Sequence, residues 1–183
     1  MAFKVAFTRP GISRWCRVVC TLLAFANVAD AGCPQDMVDA HVREQFAIYG
    51  PRSKTHEYFG YIFLYEGAVG SAVARGWSCS KSNSCSTDTA RAASLVPKGA
   101  KVLGEWHTHP ESSKAGFLSA EDVRGARNNS HIRCYAAYYS QPDGDIYAWS
   151  PLQATIHTAM ASRVLIGNYR RERGGLTLHQ VVR

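Results

Sequence analysis

A chain of 183 residues fits one domain, and it shows neither an internal repeat nor a low-complexity domain. Its formal charge is +7, but residues 1–31 hold Lys4, Arg9, Arg14 and Arg17 against Asp30, a net +3, which leaves about +4 for the rest. That mild balance, with no stripe of alternating basic and aromatic residues, argues against a nucleic-acid partner. Arg170, Arg171 and Arg173 form a basic run that reads as a solvated face or tail.

Residues 1–31 read as a secretory signal peptide. The basic start is followed by an apolar stretch, Val18 to Ala29, of twelve residues. A membrane-spanning helix needs about 20. Ala29-Asp30-Ala31 supplies an Ala-x-Ala cleavage pattern before Gly32. Cys33 raises a lipoprotein alternative, although Asp30 stands where a lipobox carries a Leu-like residue. The expected product is residues 32–183, periplasmic or secreted, with no stable membrane span. It retains Cys33, Cys79, Cys85 and Cys134. An even count in an exported chain predicts two disulfides. Of the three connectivities, Cys79–Cys85 with Cys33–Cys134 is preferred: the first closes the polar loop CSKSNSC and the second ties the N-terminus to a core strand.

Pro34 to Tyr49 predicts a helix, with Pro34 suited to the first turn and Gly50 to the stop. Glu57 to Glu66 predicts a strand, Gly67 to Gly70 a turn and Ser71 to Trp77 a second strand. Thr87 to Val96 predicts a short helix, broken by Pro97-Lys-Gly99. Lys101 to Trp106 is a strand, and SAEDVRGARNN from Ser119 a helix start. Ile132 to Tyr139 and Ile146 to Trp149 predict a hairpin around Gln141-Pro-Asp-Gly144. Leu152 to Ile166 reads as a helix, and the tail from Gly174 as a last strand or loose chain. Strands alternating with helices give an α/β or α+β class with a mixed sheet.

The chemistry concentrates in KVLGEWHTHPESSKAGFLSAED, Lys101 to Asp122. Residues i and i+2 of a strand share a face, so His107 and His109 point the same way. Ser119 and Asp122, three apart, share a helical face. Two imidazoles and a carboxylate are three zinc ligands, with a fourth position open to water. Taken separately, His-x-His is an ordinary half-buried pair and Ser-x-x-Asp an ordinary helix cap.

Together, His-Thr-His-Pro followed by Ser-x-x-Asp resembles the signature of the JAMM (MPN-type) zinc metalloproteases. The loop departs from that pattern, since nine residues separate His109 from Ser119, longer than the family spacing. The resemblance implies a JAMM, cytidine-deaminase-like fold: a sheet flanked by helices, with zinc at one sheet edge. It implies one zinc ion on His107, His109 and Asp122, and Ser119 holding the tetrahedral intermediate. It also asks for an upstream general base. Glu57, in Glu57-x-x-Gly60-x-Ile62, is similar to the family's Glu-x-x-Gly-x-Leu pattern. Glu105 is the rival base, two residues before His107 on the same strand face. The resemblance covers about residues 57–150. The stretch CYAAYYSQPDGDIYAWSP is also similar to a bacterial JAMM-related domain of unknown function found in Rhs-type and other exported proteins.

The expected activity is hydrolysis of a peptide or isopeptide bond in a peptide or protein substrate. Two alternatives stand beside it: a metal-binding or toxin-associated module without catalysis, and a metal-dependent nuclease. His56 is a weak candidate for lining the cleft, while His41, His131, His157 and His179 read as ordinary surface or core histidines.

Overall fold

In the computed structural model, the described residues are 32–79, 85–111, 118–152 and 155–171. The signal-peptide reading, His179 and the tail from Gly174 lie outside them. Contacts divide the chain into Met1–Cys33 and Pro34–Arg183, and the fold below is that of the second unit.

Helix α1 spans Gln35–Tyr49. The strands are β1 (His56–Tyr65), β2 (Ala68–Ser78), β3 (Lys101–Thr108), β4 (Ala136–Ser140), β5 (Asp145–Trp149) and β6 (Val164–Asn168). The other helices are α2 (Thr89–Ser94), α3 (Ala120–Asn128) and α4 (Ile156–Ser162). The six strands form one sheet in the order β2-β1-β3-β4-β5-β6. All neighbours are antiparallel except β3 and β4, which run parallel and are joined through α3. A parallel pair needs a long crossover, and α3 supplies it. The class is α+β, as the alternation of patterns predicts.

Alternation along the strands sends side chains to two faces. On one face α1 lays Val38, Val42 and Phe46 against Ile62, Leu103, Trp106, Tyr138 and Ile146, all buried. Leu103 and Trp106 share this core although an unbroken strand would set them on opposite faces. The β1–β3 register shifts between Ile62 and Phe63, leaving Leu103 as the bulged residue, and the bulge changes the phase. Gly60, opposite Trp106, makes room for the indole: a Cβ there would lie 2.5 Å from Trp106 Nε1.

The opposite face is covered in two patches. Ala92 of α2 sits on Phe59 and Ala74. Val123 and Ala126 of α3 and Ala159 of α4 cover Ala137, Tyr139 and Trp149. Between the patches, above the C-terminal half of β3, no helix among the described residues covers the sheet, and a cleft opens.

Several boundaries differ from the sequence-based expectation. The first hairpin turns on Glu66 and Gly67, at φ 50° and 82°, so Ala68 to Gly70 belong to β2 and not to the turn. Positive φ at both central residues matches the strand twist, which a longer turn would not need. The strand expected from Ile132 starts only at Ala136, because Cys134 takes φ 70° and Tyr135 N–H closes a turn on the Ile132 carbonyl (3.1 Å). The helix expected over Leu152 to Ile166 is α4 alone. Arg163 ends it in an extended conformation, and β6 follows as an edge strand. A short apolar run such as Val164-Leu-Ile166 fits either period, and pairing with β5 decides it. The α2 helix starts at Thr89 because the Asp88 carboxylate caps it, accepting from Arg91 N–H at 2.9 Å.

Cys79 and Cys85 form a disulfide that closes the expected loop. Cys33 and Cys134 are each in the disulfide-bonded state too. No helix among the described residues is long and apolar enough to cross a membrane.

Candidate metal centre

The uncovered strip of sheet is a cleft of about 620 Å³. Its floor is built in rows, because residues paired across β1 and β3 share a face. Phe59 lies opposite His107, and Tyr61 opposite Glu105. Glu57 lies two positions before Phe59 on β1 and opens into the same cleft. One wall is Cys85 to Thr87 with Thr89, and the other is Ser119, Asp122, Gly125 and Asn129 of α3 and its flanks. The first wall is held to the sheet by Trp77 N–H donating to the Ser86 carbonyl at 3.1 Å. Gly76 permits this approach, since a Cβ there would meet the Ser86 oxygen at 2.2 Å.

His107 is the second-last residue of β3, and His109 follows the strand, its N–H donating to the Ser140 carbonyl of β4 at 3.0 Å. Both are buried, at 4% and 6% exposure. Their Nε2 atoms converge at 3.1 Å. Asp122 completes the group, Oδ1 at 3.6 Å from His107 Nε2 and Oδ2 at 4.0 Å from His109 Nε2. Asp122 is aimed by its helix cap. Ser119 N–H donates to Oδ2 at 2.6 Å, and Asp122 N–H donates to Ser119 Oγ at 3.2 Å. The capping reading of Ser-x-x-Asp and the ligand reading are therefore the same geometry: the cap fixes the carboxylate so that its oxygens face the imidazoles.

These residues fit a metal ion. Ligand atoms roughly 2.0–2.1 Å from a tetrahedral ion lie about 3.4 Å apart. The three candidate atoms lie within 4.8 Å of one another, a spacing that small side-chain adjustments bring to that value. Two nitrogens and one carboxylate oxygen suit a first-row divalent ion.

The site lies at the end of a central strand, with β1 and β4 on either side, and not on an outer edge strand. Backbone pairing on both flanks holds His107, and the bond to Ser140 of β4 holds His109. Tyr139 of β4 adds ring contacts, with centroids 6.3 Å from His107 and 5.4 Å from His109. Tyr147 stacks behind it at 5.4 Å, and the Arg163 guanidinium lies over Tyr147 at 4.6 Å.

Burial, then the nearby charge of Asp122, pushes the Glu57 carboxyl up to about 8. Burial also raises Glu105, to about 7, against the opposing hydrogen bond from Tyr135. That bond is short, the Tyr135 hydroxyl donating to Glu105 Oε2 at 2.5 Å, and Asn129 Nδ2 donates to the Tyr135 oxygen at 3.0 Å. Burial pushes Asp122 up as well. His107, the Ser119 cap and His109 overcome this and hold it below its ordinary value.

The structure thus brings Glu57, Glu105, His107, His109, Ser119 and Asp122 to one cleft. His56 is not there. Its ring faces the Arg75 guanidinium, Nη2 lying 3.0 Å from Nε2. As a neighbour of Glu57 on a strand, it points to the other side. His41 contacts Ser71 Oγ at 2.9 Å, and His131 and His157 are exposed. Arg170 of the expected solvated run pairs with Glu111 at 2.7 Å.

Phe59 and Tyr61 were legible from the period-two pattern running on from Glu57. Tyr135, Tyr139 and Asn129 carried no signal, because only the β3–α3–β4 crossover brings them under β3.

Searches of protein-family models, curated proteins and solved structures find no match to this chain.

Proposed function

We propose that the chain is a zinc-dependent metallopeptidase of the JAMM type, acting outside the reducing cytoplasm on a peptide or isopeptide bond. The observation that carries the reading is the convergence of His107, His109 and Asp122 in a cleft that Glu57 also lines. The Ala-x-Ala pattern and the disulfide-bonded cysteines support export.

His107, His109 and Asp122 would hold the ion, which supplies Lewis acidity and lowers the pKa of water to about 7. Glu57 takes a proton from the attacking water and returns it to the leaving amine. Without a metal, burial and Asp122 hold the Glu57 carboxyl near 8; a cation on the three ligands would offset both and favour the carboxylate form that takes the proton. Ser119 Oγ accepts from Asp122 N–H, which leaves the hydroxyl proton to donate to an oxyanion. Glu105 is tied to Tyr135 and lies a strand step from the ligand row, so it is less suited to be the base than Glu57.

The test is a peptide library incubated with zinc-loaded protein and with Glu57→Gln. Cleavage by the wild type, abolished in a variant that keeps its zinc, is the expected result. Equal cleavage by both would remove Glu57 from the mechanism. Zinc loss in Glu57→Gln would move Glu57 into the ligand set. No cleavage by either, with zinc bound, would favour the metal-binding module.

A further inference from the structure

The Glu105 carboxylate has no role in the chemistry above. It is 6% exposed, and the Tyr135 hydroxyl holds one of its oxygens. Among the described residues, no lysine or arginine lines the cleft with it. A carboxylate removed from water without a cationic partner is costly unless something compensates it. Glu105 nevertheless faces the cleft.

Its surroundings have the form of a side-chain subsite. Tyr61 stands opposite it in the sheet, and Phe59 supports the Tyr61 ring edge-on at 4.9 Å. The wall above is Gly125 of α3, where a Cβ would meet nothing within 4 Å, and Asn129 follows one helical turn on. Glu105 is two residues along the strand from His107, about 7 Å at the rise of a β-strand. A long side chain on the residue at the scissile bond covers that distance. An aromatic face, a fixed carboxylate and a side-chain amide suit a cation in particular, through the ring quadrupole and a charge-assisted hydrogen bond.

We infer that Tyr61, Glu105, Gly125 and Asn129 form a specificity subsite for a cationic side chain of the substrate, the guanidinium or ammonium group of the residue next to the scissile bond. The inference rests on the metallopeptidase reading for what the cation is attached to. Glu105 acts as a specificity residue, and Tyr135 positions it.

The test uses the zinc-treated protein and two small probes of equal shape, n-butylguanidinium and the neutral n-butylurea, titrated by nuclear magnetic resonance. Metal content is measured on the same samples. Wild type should bind the guanidinium about tenfold or more tighter than the urea, as a charge-assisted contact requires. Glu105→Gln should erase the preference, while Glu111→Gln, a surface carboxylate paired with Arg170, should not. Should Glu105→Gln fail to fold, Gly125→Leu fills the open wall from an exposed helix position and should weaken the guanidinium to the level of the urea. Equal binding of the two probes by the wild type overturns the subsite. So does a preference that survives Glu105→Gln, or that survives Gly125→Leu where Glu105→Gln does not fold. A cation preference without bound zinc would defeat only the metallopeptidase reading. Bound zinc without a cation preference would defeat only the subsite.

Discussion

Glu57 and Asp122 share a cleft, and their environments push them in opposite directions. The Glu57 carboxyl titrates near 8 in the folded chain and near 4.5 when unfolded. Between those values the folded protein binds the extra proton, so metal-free stability falls as pH rises through that window. Asp122 has the opposite sign: its contribution is present above its ordinary range and is lost as pH falls through its lowered folded value. Urea midpoints in a chelator should therefore drop between about pH 5 and pH 8, and Glu57→Gln should reduce the drop. A midpoint that rises over this range, or a slope unchanged by the variant, would contradict the assigned environment. Tyr139 is the other single residue on which the site depends. Its ring contacts both imidazoles, while its hydroxyl donates to Met160 Sδ, at 3.6 Å, away from them. Tyr139→Leu should weaken metal affinity about tenfold, the low end for residues that support ligands, and Tyr139→Phe should preserve it. A competition titration against a chromogenic chelator reads both, and equal loss in the two variants would assign the effect to the hydroxyl.

At the level of elements, β1 serves both faces of the sheet at once. Glu57, Phe59 and Tyr61 face the cleft, while Gly60 faces the indole of Trp106 in the α1 core. Gly60→Ala forces that buried ring to move and should cost about 1–3 kcal/mol, an overpacking penalty. Thermal unfolding measures it, and an unchanged midpoint would mean that the indole relaxes freely. Much of β1 and β3 could be read in the sequence because each is long, aromatic or apolar, and bounded by turn residues. The Ser119 helix start was legible from its capping residues. The ends of β4 and the existence of β6 were not. Cys134 adopts a positive φ that no neighbouring residue announces, and Val164 to Asn168 becomes a strand only by pairing with β5. The ligand set was legible because two local periods, one of a strand and one of a helix, each bring two residues to one side. Tyr135 and Tyr139 were not, since their contact with β3 depends on parallel register.

The unit from Pro34 onward is a sheet with one face closed by α1 and, among the described residues, the other divided by a cleft, and the candidate centre sits where β3 ends inside that division. The crossover from β3 through α3 to β4 assembles the site: it delivers the histidines, then Asp122, then Tyr139 in chain order. The most direct measurement is the metal content of the purified protein beside His107→Ala and His109→Ala. About one zinc per chain, lost in both variants while the fold is retained, is the result this geometry predicts for a three-ligand site. A wild type that stays metal-free after zinc is supplied without chelators, or variants that retain full occupancy, would contradict the central claim.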